Sequence, residues 1–268
     1  MNESIFQYDG TFDGFLCCVY ESYVHKEIPI AFLSDGDSDV ISLYPICAVP
    51  TVPAHAQRVL RSLENMGHDV VRLLRRAFLT CLADKEQHLY ALIRKLYDQG
   101  PGFLKNPSDE VYYPVAKALR HLSGELEKLR GFVRFSDYGG VLVSEIEPKN
   151  RVLPLLRKHF CDRYANEQLF LYDRTHHEAL LYSAGRWRIF PVDGIELNLP
   201  SAEELRYRTL WKRFYDTIEI RERHNERCQN TFLPKRYRGT MTEFLPIDYE
   251  AQNHRQSPKA PQIPENHL

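Results

Sequence analysis

Apolar positions along this chain change their spacing several times, and each change marks an element. Residues 5–8 (IFQY) read as a short strand closed by an Asp9-Gly10 turn. Phe12, Phe15, Leu16, Val19, Tyr20 and Tyr23 then recur at helical spacing, with Thr11 placed to cap that helix. Residues 28–33 and 41–49 are strand-like runs flanking SDGDSD, a segment too polar for anything but a turn, so a β-hairpin is expected there. From residue 53 to about 130 the period is helical. Val70, Val71, Leu74, Ala77, Phe78 and Cys81 form one stripe there, and Val115, Leu119, Leu122, Leu126 and Leu129 another. Gly67, Gly100, Pro101, Gly102 and Gly131 punctuate the block, and Pro114 suits a first helical turn.

Beyond Gly131 the period becomes two. Residues 132–135 and 141–146 flank SDYGG and predict a hairpin. Residues 152–164 return to helical spacing, and residues 169–172, 179–182 and 187–192 form a three-strand meander with turns near His176 and at Ala184-Gly185. A basic helix follows. Hairpin-length turns in place of regular crossover helices predict an α+β fold with a mainly antiparallel sheet, a central block of helices and a C-terminal basic helix. Residues 1–245 are expected to form one domain, made of a helical block at 53–130, a sheet-rich part at 131–192 and a basic segment at 202–238. Residues 246–268, rich in Pro, Gln, Asn and His without periodicity, are expected to be a disordered tail.

Composition narrows the function. A hydrophobic content of 43% over 268 residues supports a sizeable core, and the net charge of -1 excludes a generally cationic coat. Any nucleic-acid contact must therefore come from a local patch. The start MNESIFQYDG lacks the order of a signal peptide, and no run of about 18 apolar residues appears, so a cytoplasmic protein without membrane contact is expected. The six cysteines contain no C-x-x-C and no close Cys/His quartet, so buried, reduced thiols are expected rather than zinc or an iron-sulfur cluster.

The chemistry-bearing candidates are few. Asp35, Asp37 and Asp39 open like a calcium loop, but Ile41 and Ile46 stand where that loop needs its Gly and its Glu. His176-His177-Glu178 supplies ligand-type side chains, yet adjacent strand positions point to opposite faces, so a polar hairpin tip is expected. No P-loop, dinucleotide fingerprint, H-E-x-x-H, nucleophile elbow or deaminase signature is present, and no metal or cofactor is expected. Asp9 and Asp13, four residues apart at a strand-to-helix turn, are the candidate catalytic carboxylates. Their bland alternative is a turn residue and a helix N-terminal charge. Arg134, Arg163 and Arg174 are candidate phosphate clamps, and ion-paired arginines explain them equally well.

The most informative segment is residues 205–237, where an aromatic stripe meets a dense run of cations. Tyr207, Leu210, Trp211, Phe214, Tyr215 and Ile218 share one helical arc, flanked by Arg206, Arg208, Lys212 and Arg213. Phosphates call for the cations and exposed bases for the rings. Stripes of this kind are most often core, so the rings are expected to anchor the helix, and phosphate contact is expected from the less neutralised residues 227–238. The nucleic-acid-binding candidates are Lys212, Arg213, Arg223, Arg227, Lys235, Arg236 and Tyr237.

Five ordered motifs carry a family resemblance: YDGTF with GFL from Gly14, GFVRF at 131–135, EIEPKNRVLPLL at 145–156, HFCDRY at 159–164, and LWKRFYDTIEIRERHNERCQ running to PKRY at 237. From about Ile5 to Phe244 the chain resembles a bacterial family of unknown function labelled putative DNA metabolism proteins. That resemblance implies a link to a radical S-adenosylmethionine protein and, in some members, fusion to a uracil-DNA-glycosylase-like domain; it implies no catalytic residues. Arg238-Gly239 departs from the aromatic residue expected after Tyr237. Three readings stand open: an accessory factor of DNA repair or modification that binds nucleic acid beside such a partner, an enzyme acting on damaged or modified nucleic acid, and a protein-interaction module.

Overall fold

The structure, a computed structural model, describes residues 4–34, 42–195, 200–218 and 220–245. Asp35, Asp37 and Asp39 and the expected tail at 246–268 lie outside the described residues. The fold is α+β, with two sheets and helices between and after them. The chain divides into two compact units, residues 1–126 with 149–152, and residues 127–148 with 153–268.

The first unit is built on a three-stranded parallel sheet. Strand β1 (Ser4–Tyr8) lies between β2 (Pro29–Ser34) and β3 (Ile46–Ala48). Helix α1 (Phe12–Val24) crosses from β1 to β2, which makes that pair parallel. The hairpin expected between residues 28–33 and 41–49 is absent, because each run pairs with β1 instead of with the other. Thr11 caps α1 as expected, its Oγ1 accepting a hydrogen bond from the Gly14 amide at 3.0 Å. Helices α2 (Pro53–Glu64), α3 (His68–Phe78), α4 (Lys85–Gln99) and most of α5 (Tyr112–Phe132) complete this unit. Phe15, Leu63, Leu74, Leu92, Ile93 and Leu96 are fully buried in its core. The stripe on α3 is buried through Phe78, but the helix ends there and Cys81 is exposed. A buried carboxylate ties in the loop at 149–152. Glu125 accepts hydrogen bonds from the Lys149 amide (3.1 Å), the Asn150 amide (2.9 Å) and Asn150 Nδ2 (2.6 Å), while Asn150 Oδ1 accepts from the Cys81 amide at 2.9 Å.

The second unit carries a five-stranded sheet in the order β4 (Ser136–Asp137), β5 (Val141–Ile146), β6 (Gln168–Asp173), β7 (Glu178–Ser183), β8 (Arg186–Pro191). The meander β6-β7-β8 is antiparallel as expected, whereas β5 makes its hairpin with β4 at Ser136–Asp137, residues expected in the turn, and not with 132–135. The sheet is nevertheless mixed, because α6 (Leu153–Arg163) is a crossover that sets β5 and β6 parallel. A strand was expected from residue 132, but α5 runs through Phe132 and the Val133 amide still bonds to the Leu129 carbonyl at 3.1 Å. Register puts Leu169, Tyr182 and Trp187 on one face, together with Leu171, Leu180 and Ile189. Leu153, Leu156 and Phe160 of α6 are buried, and α6 packs on β7. The chain then continues into α7 (Ala202–Ile218), a 3-10 turn (Arg221–Arg223), α8 (Glu226–Phe232) and two further 3-10 turns (Lys235–Thr240 and Thr242–Phe244). Among the described residues no helix is long and apolar enough to cross a membrane.

Candidate nucleic-acid interface

Helix α7 begins at Ser201, whose Oγ accepts a hydrogen bond from the Glu204 amide at 3.1 Å, and Glu203 and Glu204 complement its N-terminus. Four side chains spaced four, four and three residues apart then hold it by polar contacts. Glu204 Oε2 accepts from the Asp137 amide (3.1 Å), and Arg208 donates to Glu204 Oε1 (2.8 Å) and Ser136 Oγ (2.7 Å). Lys212 donates to the Glu243 carbonyl at 3.3 Å and pairs with Asp216 at 3.5 Å. Tyr215 accepts from Gln229 Nε2 at 3.2 Å and sets its ring against Phe244.

Tyr215 thus leaves the aromatic arc for these contacts, and the rest of the arc is open beside them. Tyr207 is 61% exposed, Phe214 52% and Trp211 40%, Leu210 and Ile218 are exposed beside them, and no residue of α7 is buried. The expected core anchor is thus an open apolar face: helical spacing shows that an arc exists and says nothing of what covers it. Trp211 and Phe214 stack at 5.6 Å between centroids, and the Arg134 guanidinium lies 5.8 Å from the Trp211 ring. Arg206 and Arg213 border this face, exposed and in no ion pair among the described residues.

The other candidates divide by what they touch. Arg223, Arg227 and Lys235 are exposed and in no ion pair among the described residues. Arg223 lines a groove with Tyr215, Ile218, Ile220, Cys228 and Gln229. Arg236 is exposed, lies over the Tyr237 ring at 4.5 Å and donates to its hydroxyl. Tyr237 itself is buried, its ring against Phe132. The neighbouring Arg238 donates to Asn230 Oδ1 and the Leu233 carbonyl. Among the phosphate-clamp candidates, Arg134 forks onto Glu243 Oε1 at 2.9 and 3.2 Å, beside Lys212 on the carbonyl of the same residue. Glu243 is buried and its Oε2 has no hydrogen-bond partner among the described residues. Arg174 pairs with Glu147 (3.0 Å) and Glu145 (3.7 Å), and Arg163 lies over Tyr164. Each of the three arginines is engaged with its own partner.

Asp9 sits in a clasp. Its Oδ1 accepts from the Thr11 amide (2.9 Å) and hydroxyl (2.7 Å), and its Oδ2 from the Thr51 hydroxyl (2.7 Å). Burial pushes its pKa up, but these hydrogen bonds outweigh it and hold the carboxyl below its ordinary value. A side chain at Gly14 would meet Asp9 Oδ1 at 2.2 Å and Thr51 Oγ1 at 2.8 Å, so the clasp requires glycine there. Asp13 lies in the first turn of α1. The tip of the β6/β7 hairpin holds a different pair: Asp173, fully buried, bonds His176 Nδ1 at 2.8 Å and accepts the Thr175 and His176 amides. Among the described residues no three His, Cys, Asp or Glu side chains converge to hold a metal.

A family model described as a domain of unknown function, DUF4130, matches residues 83–243. The chain belongs to the DUF4130 family. No curated protein and no solved structure matches the chain. The DUF4130 match takes in α4 and α5, the whole five-stranded sheet, α7, and the turn that holds Glu243 against Arg134, and it leaves the Asp9 clasp outside. Within the matched residues lies a patch whose spacing predicts only a strand: Arg186, Trp187 and Arg188 on β8, with the Arg157 guanidinium 3.9 Å from the Trp187 ring. An aromatic residue between two arginines on the last strand of a meander was the available signal.

Proposed function

We propose that this chain is an accessory factor of DNA metabolism, acting in repair or modification, that binds nucleic acid through α7 and the cations following it. The observation that carries the reading is the open arc of Tyr207, Trp211 and Phe214 bordered by Arg206 and Arg213. Rings in solvent offer stacking surfaces to unstacked bases, and unpaired guanidiniums offer charge to phosphate. Arg223, Arg227 and Lys235 extend the positive charge past the end of the helix. The resemblance to DNA metabolism proteins supplies the partner: a radical S-adenosylmethionine protein or a uracil-DNA-glycosylase-like protein, which performs the chemistry while this chain holds the strand.

Fluorescence anisotropy with labelled single-stranded, duplex and uracil-containing DNA tests the binding. Affinity should fall steeply with salt, and Arg206→Ala with Arg213→Ala should lower the salt slope by about 1.4, at roughly 0.7 per phosphate contact on a single strand. Absence of binding at low salt removes the reading. Leu210 and Ile218, which cannot stack on bases, favour a second use of the same face as a protein dock. Co-purification with the partner that survives saturating oligonucleotide, and is lost in Leu210→Asp, selects that use instead.

A further inference from the structure

The outer strand of the five-stranded sheet bears an aromatic and cationic patch distinct from α7. Strand β8 is last in the order, so among the described residues it has no strand neighbour on its outer side. Trp187 is 49% exposed there, although it stands opposite Tyr182, which is buried. The Arg157 guanidinium of α6 lies 3.9 Å from the indole centroid, covering one face of the ring. Arg186 and Arg188 flank it on the opposite side of the strand, across from Ser183 and Leu181, and both are exposed. The indole thus has Arg157 on its own side of the strand and Arg186 and Arg188 on the other, and none of the three is in an ion pair among the described residues.

Three properties select the ligand. An exposed sheet edge invites another strand, but arginines at alternate positions of that edge oppose such pairing. Concentrated positive charge without acidic partners calls for an anionic ligand. An indole already backed by a guanidinium on one face offers its other face for stacking, and stacking needs a base freed from a duplex. We propose that the β8 edge is a second contact for single-stranded nucleic acid, which passes around that edge so that a base stacks on Trp187 on one face and phosphates farther along the strand lie on Arg186 and Arg188 on the other. For the class of ligand this rests on the nucleic-acid reading of the chain, and its location is independent of α7.

The chain has two tryptophans, Trp187 and Trp211, one on each surface. Trp211→Phe therefore leaves Trp187 as the sole indole, and Trp187→Phe leaves Trp211. Each single-tryptophan protein is titrated with oligo-dT at low salt while indole fluorescence is followed. The proposal expects saturable quenching of Trp187 by oligo-dT, weaker quenching by duplex of equal length, and none by heparin, which has charge without bases. In anisotropy with oligo-dT, Trp187→Ala should weaken binding about 5- to 150-fold, the range that stacking of one base corresponds to. Quenching of Trp211 with a silent Trp187 overturns the β8 proposal and leaves the α7 reading intact. Quenching of Trp187 with a silent Trp211 supports β8 and removes α7, and silence in both removes both. Equal quenching of Trp187 by heparin also overturns the proposal, since charge alone then explains it.

Discussion

Phe214→Ala distinguishes an open α7 face from a core anchor by energy alone. A buried Phe cut to Ala costs about 3–5 kcal/mol, through lost burial and the cavity left behind. Phe214 is 52% exposed. Full burial of such a side chain contributes about 1.5–3 kcal/mol, so the covered half is worth about 1 kcal/mol, and a half-open site leaves little cavity. The expected loss is therefore about 1 kcal/mol. Phe160 of α6, 2% exposed and packed edge-on against Phe135, is the internal control, for which Phe160→Ala should cost about 3–5 kcal/mol. Urea unfolding followed by far-ultraviolet circular dichroism gives both values, provided the transition midpoint moves without a change in slope. A loss above about 3 kcal/mol for Phe214→Ala would refute the open face and restore the core anchor.

Other substitutions test the remaining contacts. Glu125→Ala strips the acceptor from three N–H groups around Asn150 and should cost about 3–5 kcal/mol, with Glu125→Gln intermediate; a loss under 1 kcal/mol in a denaturant melt would show that the loop at 149–152 does not depend on it. Gly14→Ala forces a methyl group into the Asp9 clasp and should cost about 1–3 kcal/mol by the same assay, against the gain of about 0.5–1 kcal/mol expected at Gly124, a helix-interior position that nothing crowds. His159 is held below its ordinary pKa by burial and by Arg130 and Arg163, opposed by Glu127 and Asp162. Its neutral form is the one the fold prefers, so its contribution is complete above about pH 6.5 and declines as pH falls below that value. The urea midpoint should drop more between pH 7 and pH 5 in the parent protein than in His159→Phe, and equal drops would dismiss the contribution.

Local spacing carried most of the elements. The cap at Thr11, the buried stripes of α3 and α5, and the β6-β7-β8 meander all follow from residues whose neighbours in sequence are also their neighbours in space. Strand partners were not legible in the same way. Residues 28–33 and 41–49 have the pattern of a hairpin, and only the presence of β1 between them makes both pairs parallel. The crossover by α6 is a similar case, since a helix between two strand runs leaves their relative direction open until they share a sheet. At the candidate site, the arc of Tyr207, Trp211 and Phe214 was readable from spacing, while its exposure depends on Glu204, Arg208 and Lys212 finding partners at Asp137, Ser136 and Glu243, far away in sequence. Arg134 shows the same limit: its charge is visible in the sequence, and its use by Glu243 is a long-range fact. Trp187 and its arginines needed one further step, the placement of β8 at the edge of the sheet.

Ultraviolet crosslinking of the protein to a single-stranded oligonucleotide, with the attached residues located by mass spectrometry, tests the nucleic-acid reading most directly. The account predicts adducts at Tyr207, Trp211 or Phe214, lost at high salt. Adducts confined to residues 4–126, or none under conditions where the oligonucleotide is bound, would contradict it.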